Sequence, residues 1–280
     1  MMAGFSPEWL ALREPADHAA RNPQLLAAVG AFFAAKPSLS VLDLGCGAGA
    51  NLRGSYAVLP ERQHWTLVDH DADLLAVARE RLVGWADEAR EQGEELVLAK
   101  DGKTITVDTR QVDLDKDLDW VLGWRPDLVT AAALFDLTSK RWIERFVAAL
   151  ASQKLPLYTV LTYDGRENWK PAHRSDARML AAFKHHQHLD KGFGPAAGPE
   201  ACDIMAEAFR KSGFAVSTAD SAWLLDEGHR DLRDALARGI TDAVRETGQV
   251  EPAAIAAWLE ARQAAASARI GHQDLWARPV

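Results

Sequence analysis

Leu44-Gly45-Cys46-Gly47-Ala48-Gly49 is the run in this sequence whose residue types best suit holding a ligand. Glycine lets a backbone approach a bound molecule closely, and where such a turn opens a helix the first peptide N–H groups lack partners. In dinucleotide enzymes those groups face pyrophosphate, and Gly45, Gly47 and Ala50 satisfy a relaxed G-x-G-x-x-A pattern. The loop by itself therefore leaves a nicotinamide cofactor open. Asp43, two residues before Gly45, argues the other way: a carboxylate there repels pyrophosphate but attracts a cationic amino-acid ligand. Cys46, between two glycines and with no identifiable histidine partner, reads as a small packed residue rather than a nucleophile.

The elements that must position this loop follow from the apolar pattern. Ser38 to Leu44 forms a short buried strand, the loop closes it, and a helical stretch runs to about Leu59. His64 to Asp69 is a second strand ending in an acid, followed by a helix from Asp73 to Gln92. Leu96-Val97-Leu98 and Thr104 to Val107 flank the turn signal Asp101-Gly102, which predicts a hairpin inserted before a third core strand near Gln111 to Leu114. The fourth strand is Leu128 to Ala132, a helix spans Ser139 to Leu150, and the fifth strand is Leu157 to Thr162. Tyr163 to Pro199 reads as irregular and polar, interrupted by a helix near Asp176 to His188. A helix from Glu200 to Ser212, strands at Phe214 to Thr218 and Trp223 to Leu225, a helical block from His229 to Ala268 and a final strand through Ala277 complete the chain. Pro7 to Ala35, with Asn22 as a cap, forms helical pieces at the start. One domain of 280 residues is expected: a helical cap at 1–36, a core at 37–165, a loop-and-helix region at 166–199, and a C-terminal part at 200–280 with a helical insertion at 229–268.

A net charge of -8 with no basic run disfavours binding to nucleic-acid backbone. Two cysteines, Cys46 and Cys202, make no disulfide framework and fit a reducing compartment. No secretory signal is read near Glu8, Glu14 and Asp17, and the run Leu128 to Phe135 is too short to span a bilayer, so a cytoplasmic protein is expected. His185 and His188 stand three apart on one predicted helix without an obvious third ligand, so no metal site is expected. The sequence sets no oligomeric state.

Taken as Val41-Leu42-Asp43-Leu44-Gly45-Cys46-Gly47-Ala48-Gly49, the loop and its strand resemble motif I of the class I S-adenosylmethionine-dependent methyltransferases. The resemblance covers roughly Ser38 to Thr162, more weakly the last strands. It implies a Rossmann-like seven-stranded, mostly parallel α/β sheet with an antiparallel last strand and helices on both faces. It also implies that Asp69 holds the ribose hydroxyls, that an acid and an apolar neighbour after the third strand read adenine, and that Pro126 to Leu134 lies beneath the methionine part. Asp108, Asp113 and Asp115 are candidates for the adenine acid, with Asp113-Leu114 preferred. The cofactor residues implied are Arg21, Asp43, Gly45, Cys46, Gly47, Asn51, Asp69, His70, Asp113, Leu114 and Ala131, with S-adenosylmethionine as cofactor and S-adenosylhomocysteine as product.

Methyl transfer from a sulfonium is an in-line displacement, so alignment, exclusion of water and removal of an acceptor proton are what a protein must supply. Such residues belong past the ends of the fourth and fifth strands. Asp136 and His173 are the candidates for orienting group or general base, and Arg13, Tyr163, Arg166, Trp169, Lys191 and Phe193 for acceptor binding. The acidic chain, helical cap and large variable insert favour a small-molecule acceptor. A protein or RNA acceptor and a non-catalytic cofactor-binding scaffold are the alternatives.

Overall fold

Near-continuous apolar runs such as Leu39-Ser40-Val41-Leu42-Asp43-Leu44 suit strands covered on both faces, and in the computed structural model of residues 5–280 they form the middle of one sheet. The strands are β1 Leu39–Leu44, β2 Arg62–Asp69, β3 Glu88–Gln92, β4 Glu95–Lys100, β5 Lys103–Gln111, β6 Leu128–Ala132, β7 Leu157–Lys170, β8 Phe214–Asp220, β9 Trp223–Leu225 and β10 Ser267–Pro279. Their order is β3-β4-β5-β2-β1-β6-β7-β10-β8, with β9 paired to β10. The pairs from β5 through β2, β1 and β6 to β7 are parallel, and β10 runs antiparallel to both β7 and β8. The chain order reverses between β1 and β6, so the glycine loop leaves β1 at the crevice where open sheets of this kind bind ligands.

The helices are α1 Pro7–Ala20, α2 Pro23–Phe33, α3 Ala50–Ser55, α4 Ala72–Trp85, α5 Leu114–Leu122, α6 Lys140–Gln153, α7 Asp176–Gln187, α8 Ala201–Lys211, α9 Arg230–Thr247 and α10 Pro252–Gln263. Asn22 caps α2 by accepting the Leu25 N–H, and Ser139 caps α6 by accepting that of Trp142. One apolar cluster joins α5, α6 and α8 to the sheet; another joins α2 to α4 and, farther along β7 and β10, α7, α9 and α10. Helices therefore cover both faces of a Rossmann-like sheet.

Several boundaries differ from the sequence reading. The strand opened by Lys103 is itself the third core strand, paired in parallel with β2 from Arg62↔Thr104 to Asp69↔Gln111, and the chain after it becomes α5. Leu114, Leu118, Val121 and Leu122 lie at helical spacing behind the cap Asp113. The predicted helix to Gln92 stops at Trp85, because residues 88–92 pair along β4. All five are exposed, so no apolar alternation marked them as a strand. The fifth core strand continues eight residues beyond Thr162 to Lys170, held by β10, where an irregular segment was expected. Three strands, β3, β4 and β9, lie outside the seven-stranded pattern.

Candidate functional site

β1 ends at Leu44, and the chain turns through Gly45 and Gly47 at φ values of 60° and 51°, a left-handed region costly for other residues. A Cβ on Gly45 would come within 3.1 Å of Leu134, and one on Gly47 within 3.2 Å of Leu10. The backbone angle favours glycine at both positions, and a Cβ would also crowd a leucine methyl. The Cys46 N–H donates to the Val68 carbonyl at 2.9 Å, and the Gly47 N–H to Asp69 Oδ2 at 2.8 Å. Asp69, at the end of β2 and only 6% exposed, thus clamps the loop from the neighbouring strand, while its Oδ1 accepts the Asp71 N–H at 3.1 Å. His70 stands beside it with its ring largely exposed, Nδ1 3.2 Å from Asp69 Oδ1. Burial pushes the Cys46 thiol well up, which fits a packing role.

Beneath the loop is a buried polar network. Asn51, in α3, donates to Asp43 Oδ1 at 2.7 Å and to Thr130 Oγ1 at 2.6 Å, and its carbonyl accepts from Arg21 at 2.8 Å. Arg21 also reaches Ser55 at 3.0 Å and lies against Gly54. Asp43 is fully buried, and its Oδ2 has no hydrogen-bond partner. Burial raises its pKa to about 7, against the opposing pull of Asn51 and Arg21. An orphaned carboxylate oxygen under a glycine turn fits the ammonium of an amino-acid ligand better than a phosphate.

A carboxyl whose folded pKa lies above its unfolded value binds protons in the folded state that the unfolded chain has released, so the stability it confers declines as pH rises. Here the window runs from about 3.8 to about 7. Urea unfolding midpoints of the free protein are expected to fall from pH 5 to pH 7.5, and in Asp43→Asn that fall should be shallower. An equal fall in both proteins would rule Asp43 out as its source.

Asp113 caps α5 directly after β5, accepting the Asp115 N–H at 3.1 Å and pairing with Lys116, which holds its carboxyl below the usual range. Asp108 lies within β5, paired with Arg110, and Asp115 lies in the first turn of α5. Asp113 is therefore the acid nearest the strand end, with Leu114 buried beside it. Ala131 is buried in β6 between Leu44 and Thr159.

α1 lies over the loop. Glu14 accepts from Arg53 Nε and Nη2 at 2.6 and 2.7 Å, His18 Nε2 lies 2.9 Å from the Ala50 carbonyl, and Arg81 donates to the Pro7 carbonyl at 2.7 Å. These contacts, with Leu10 on Gly47, make the first helix a cap tied to the loop it covers.

Past the end of β6 and along the middle of β7 a second group of side chains collects. Asp136, on the turn after β6, is 8% exposed, and its Oδ1 is buried without a partner. Burial raises its pKa to about 6, with the charge of Arg13 pulling the other way. The Arg13 guanidinium, paired to Asp17 at 2.8 Å, lies 5.0 Å from the Trp223 ring centre. Trp223 lies 5.0 Å from the His272 ring, and His272 6.1 Å from that of Tyr163, its register partner across β7 and β10. Burial, reinforced by Arg13, lowers His272 to about 3, so the ring is neutral, and its Nδ1 has no partner. His272 and Trp223 were not singled out in the sequence. Nothing local marks a lone histidine in a terminal strand, and only the β7–β10 pairing carries it here.

The other expected site residues lie elsewhere. His173 sits in the turn after Lys170, roughly 20 Å along β7 from Tyr163 at about 3.3 Å per residue, where its Nδ1 accepts the Ser175 N–H and its own N–H meets Asp176. It helps start α7 and does not join Asp136. Arg166 is exposed, paired with Asp164 and Asp220. Trp169 is buried against Trp258. Lys191 meets His186 at 3.4 Å, and Phe193 packs edge-on against Trp142. Polar composition suggested a shared pocket for these residues, whereas the long β7 separates them. Among the described residues no three His, Cys, Asp or Glu side chains gather as a metal site, and no helix is long and apolar enough to cross a membrane.

No protein-family model matches the chain, and no curated protein matches it. Solved structures do. A cyclopropane-fatty-acyl-phospholipid synthase-like protein of Lactobacillus casei superposes with a TM-score of 0.54 at 15% identity, covering 100% of this chain and 96% of its own. The cyclopropane synthase MmaA2 of Mycobacterium tuberculosis gives 0.50 at 11% identity, covering 98% and 94%. A methyltransferase of Thiobacillus denitrificans solved with S-adenosylhomocysteine gives 0.45 at 15%, covering 98% and 99%. At these identities the likeness is one of fold. The chain has the Rossmann-like fold of the class I S-adenosylmethionine-dependent methyltransferases.

Proposed function

We propose that this chain transfers a methyl group from S-adenosylmethionine to a small-molecule acceptor. The observation that carries the reading is the placement of Asp43, Asp69 and Asp113 at or beside the ends of three adjacent parallel strands, around a glycine turn in the left-handed region. S-adenosylmethionine supplies an electrophilic methyl on a positively charged sulfur. Asp43 offers an unpaired oxygen for the amino-acid ammonium, Asp69 a carboxylate for the ribose hydroxyls, and Asp113 with Leu114 a polar and an apolar contact for adenine.

On the acceptor side, Asp136 is the group suited to take a proton, because its raised pKa keeps it ionised yet basic near neutrality. Tyr163, His272 and Trp223 line the acceptor approach, and Arg13 places a positive charge beside it. α1 over the loop excludes water from this space, which suits an acceptor small enough to be enclosed. The protein is proposed to act in the cytoplasm.

Incubation with methyl-labelled S-adenosylmethionine and fractionated cell extract tests the acceptor class. Label in the small-molecule fraction is expected. Label confined to protein or RNA would replace the small-molecule reading, and tight S-adenosylhomocysteine binding without any transfer would favour a scaffold.

A further inference from the structure

Beyond Tyr163 the extended β7 carries a cavity of about 450 Å³, within the range of small-ligand sites. Its floor is Glu167 and Trp169, and its walls are Asp176 and Met179 of α7, Ile240 of α9 and Trp258 of α10. Glu167 lies between the acceptor cluster and this cavity. Its Oε1 accepts the Tyr163 hydroxyl at 2.8 Å and its Oε2 the Trp169 indole N–H at 3.2 Å.

Both donors are neutral; burial raises the Glu167 pKa, and the charge of Lys184 opposes that rise without pairing with the carboxylate. The other carboxylate, Asp176, is already matched: Arg262 lies 3.5 Å away and the Trp258 indole donates to it at 2.7 Å. Arg262 also sits 5.7 and 5.5 Å from the Trp169 and Trp258 ring centres, so these indoles already accommodate one positive group. Lys170 also lines the cavity, yet among the described residues Glu167 forms no ion pair with it or with Lys184, and its two hydrogen bonds come from neutral donors.

We infer that this cavity binds an ammonium group, a primary or methylated alkylamine, with Glu167 as counter-ion and Trp169 and Trp258 as aromatic walls. The hydrogen bond from Tyr163 sets Glu167 next to the acceptor cluster, and the same amine is assigned as the distal end of the methyl acceptor. This identification as acceptor rests on the methyl-transfer reading, whereas binding of the ammonium does not.

The test is calorimetric titration of the whole protein with choline and with n-butylammonium, each with and without S-adenosylhomocysteine, and with 3,3-dimethyl-1-butanol, a neutral counterpart of choline. At least one cation is expected to bind, roughly tenfold more tightly than the neutral alcohol and roughly tenfold more weakly to Glu167→Gln. The alcohol comparison uses wild-type protein only, so it stands even if the variant does not fold. Absence of binding by both cations, equal binding of alcohol and choline, or unchanged affinity in a folded Glu167→Gln overturns the inference. If S-adenosylhomocysteine binds and neither cation does, only this inference falls; if the cations bind and S-adenosylhomocysteine does not, the methyl-transfer reading falls instead.

Discussion

Replacing Asp69 by Ala is expected to weaken S-adenosylhomocysteine binding by roughly 100-fold. The substitution removes two things together: the carboxylate oxygen that accepts the Gly47 N–H at 2.8 Å and the acceptor proposed for the ribose hydroxyls. A hydrogen bond to a charged group contributes about 1.5–3 kcal/mol, so two contacts at the lower end of that range correspond to about two orders of magnitude in affinity. Asp69→Asn separates the two effects. Its amide oxygen can still hold the loop, but the charge and one acceptor are gone, so an intermediate loss of about tenfold is expected. Titration calorimetry on both variants, with circular dichroism confirming the fold, is the check. Unchanged affinity in a folded Asp69→Ala would remove Asp69 from the site.

The second large effect concerns turnover. Asp136→Asn preserves shape and leaves a neutral amide where a buried carboxylate with one unpartnered oxygen now stands. A positioned general base contributes about 100-fold or more to a rate, so kcat for an acceptor that must lose a proton should fall by about two orders of magnitude. Affinity for S-adenosylhomocysteine should be unaffected, because Asp136 lies on the turn after β6 and the loop is held by Asp69 and Asn51. The wild-type rate should rise with pH through about 6 as Asp136 ionises, and the variant should lack that limb. His173→Ala is the matched control: His173 lies beyond Lys170 at the start of α7, and its removal should leave kcat within about twofold. Full turnover by Asp136→Asn would show that another group, or none, takes the proton.

Much of this arrangement was legible because it is local in sequence. A largely apolar strand, a glycine turn and a helix lie within Leu39 to Ser55, and each acid lies within two residues of its strand's end. The terminal β8 and β10 were readable for the same reason, as apolar runs bounding a helical block. What failed was non-local. Residues 88–92 form a strand only because β4 offers an edge, and β7 continues past Thr162 only because β10 pairs with it. That continuation carries Trp169 and His173 away from Asp136 and places His272 opposite Tyr163. Arg21 and Asn51 were expected at the cofactor; the structure places them beneath the glycine loop, where Asn51 donates to Asp43 and accepts from Arg21. Polar composition alone does not distinguish a group that touches a ligand from one that supports a group that does.

The central claim is that the glycine loop and its three acids select a cationic adenosyl amino acid over a pyrophosphate-bearing cofactor. Titration calorimetry of the unmodified protein against S-adenosylmethionine, S-adenosylhomocysteine, NADH and NADPH tests it directly. Saturable binding of the first two with no heat from either nicotinamide is the predicted result. Binding of NADH or NADPH, with neither adenosyl amino acid bound, would contradict it.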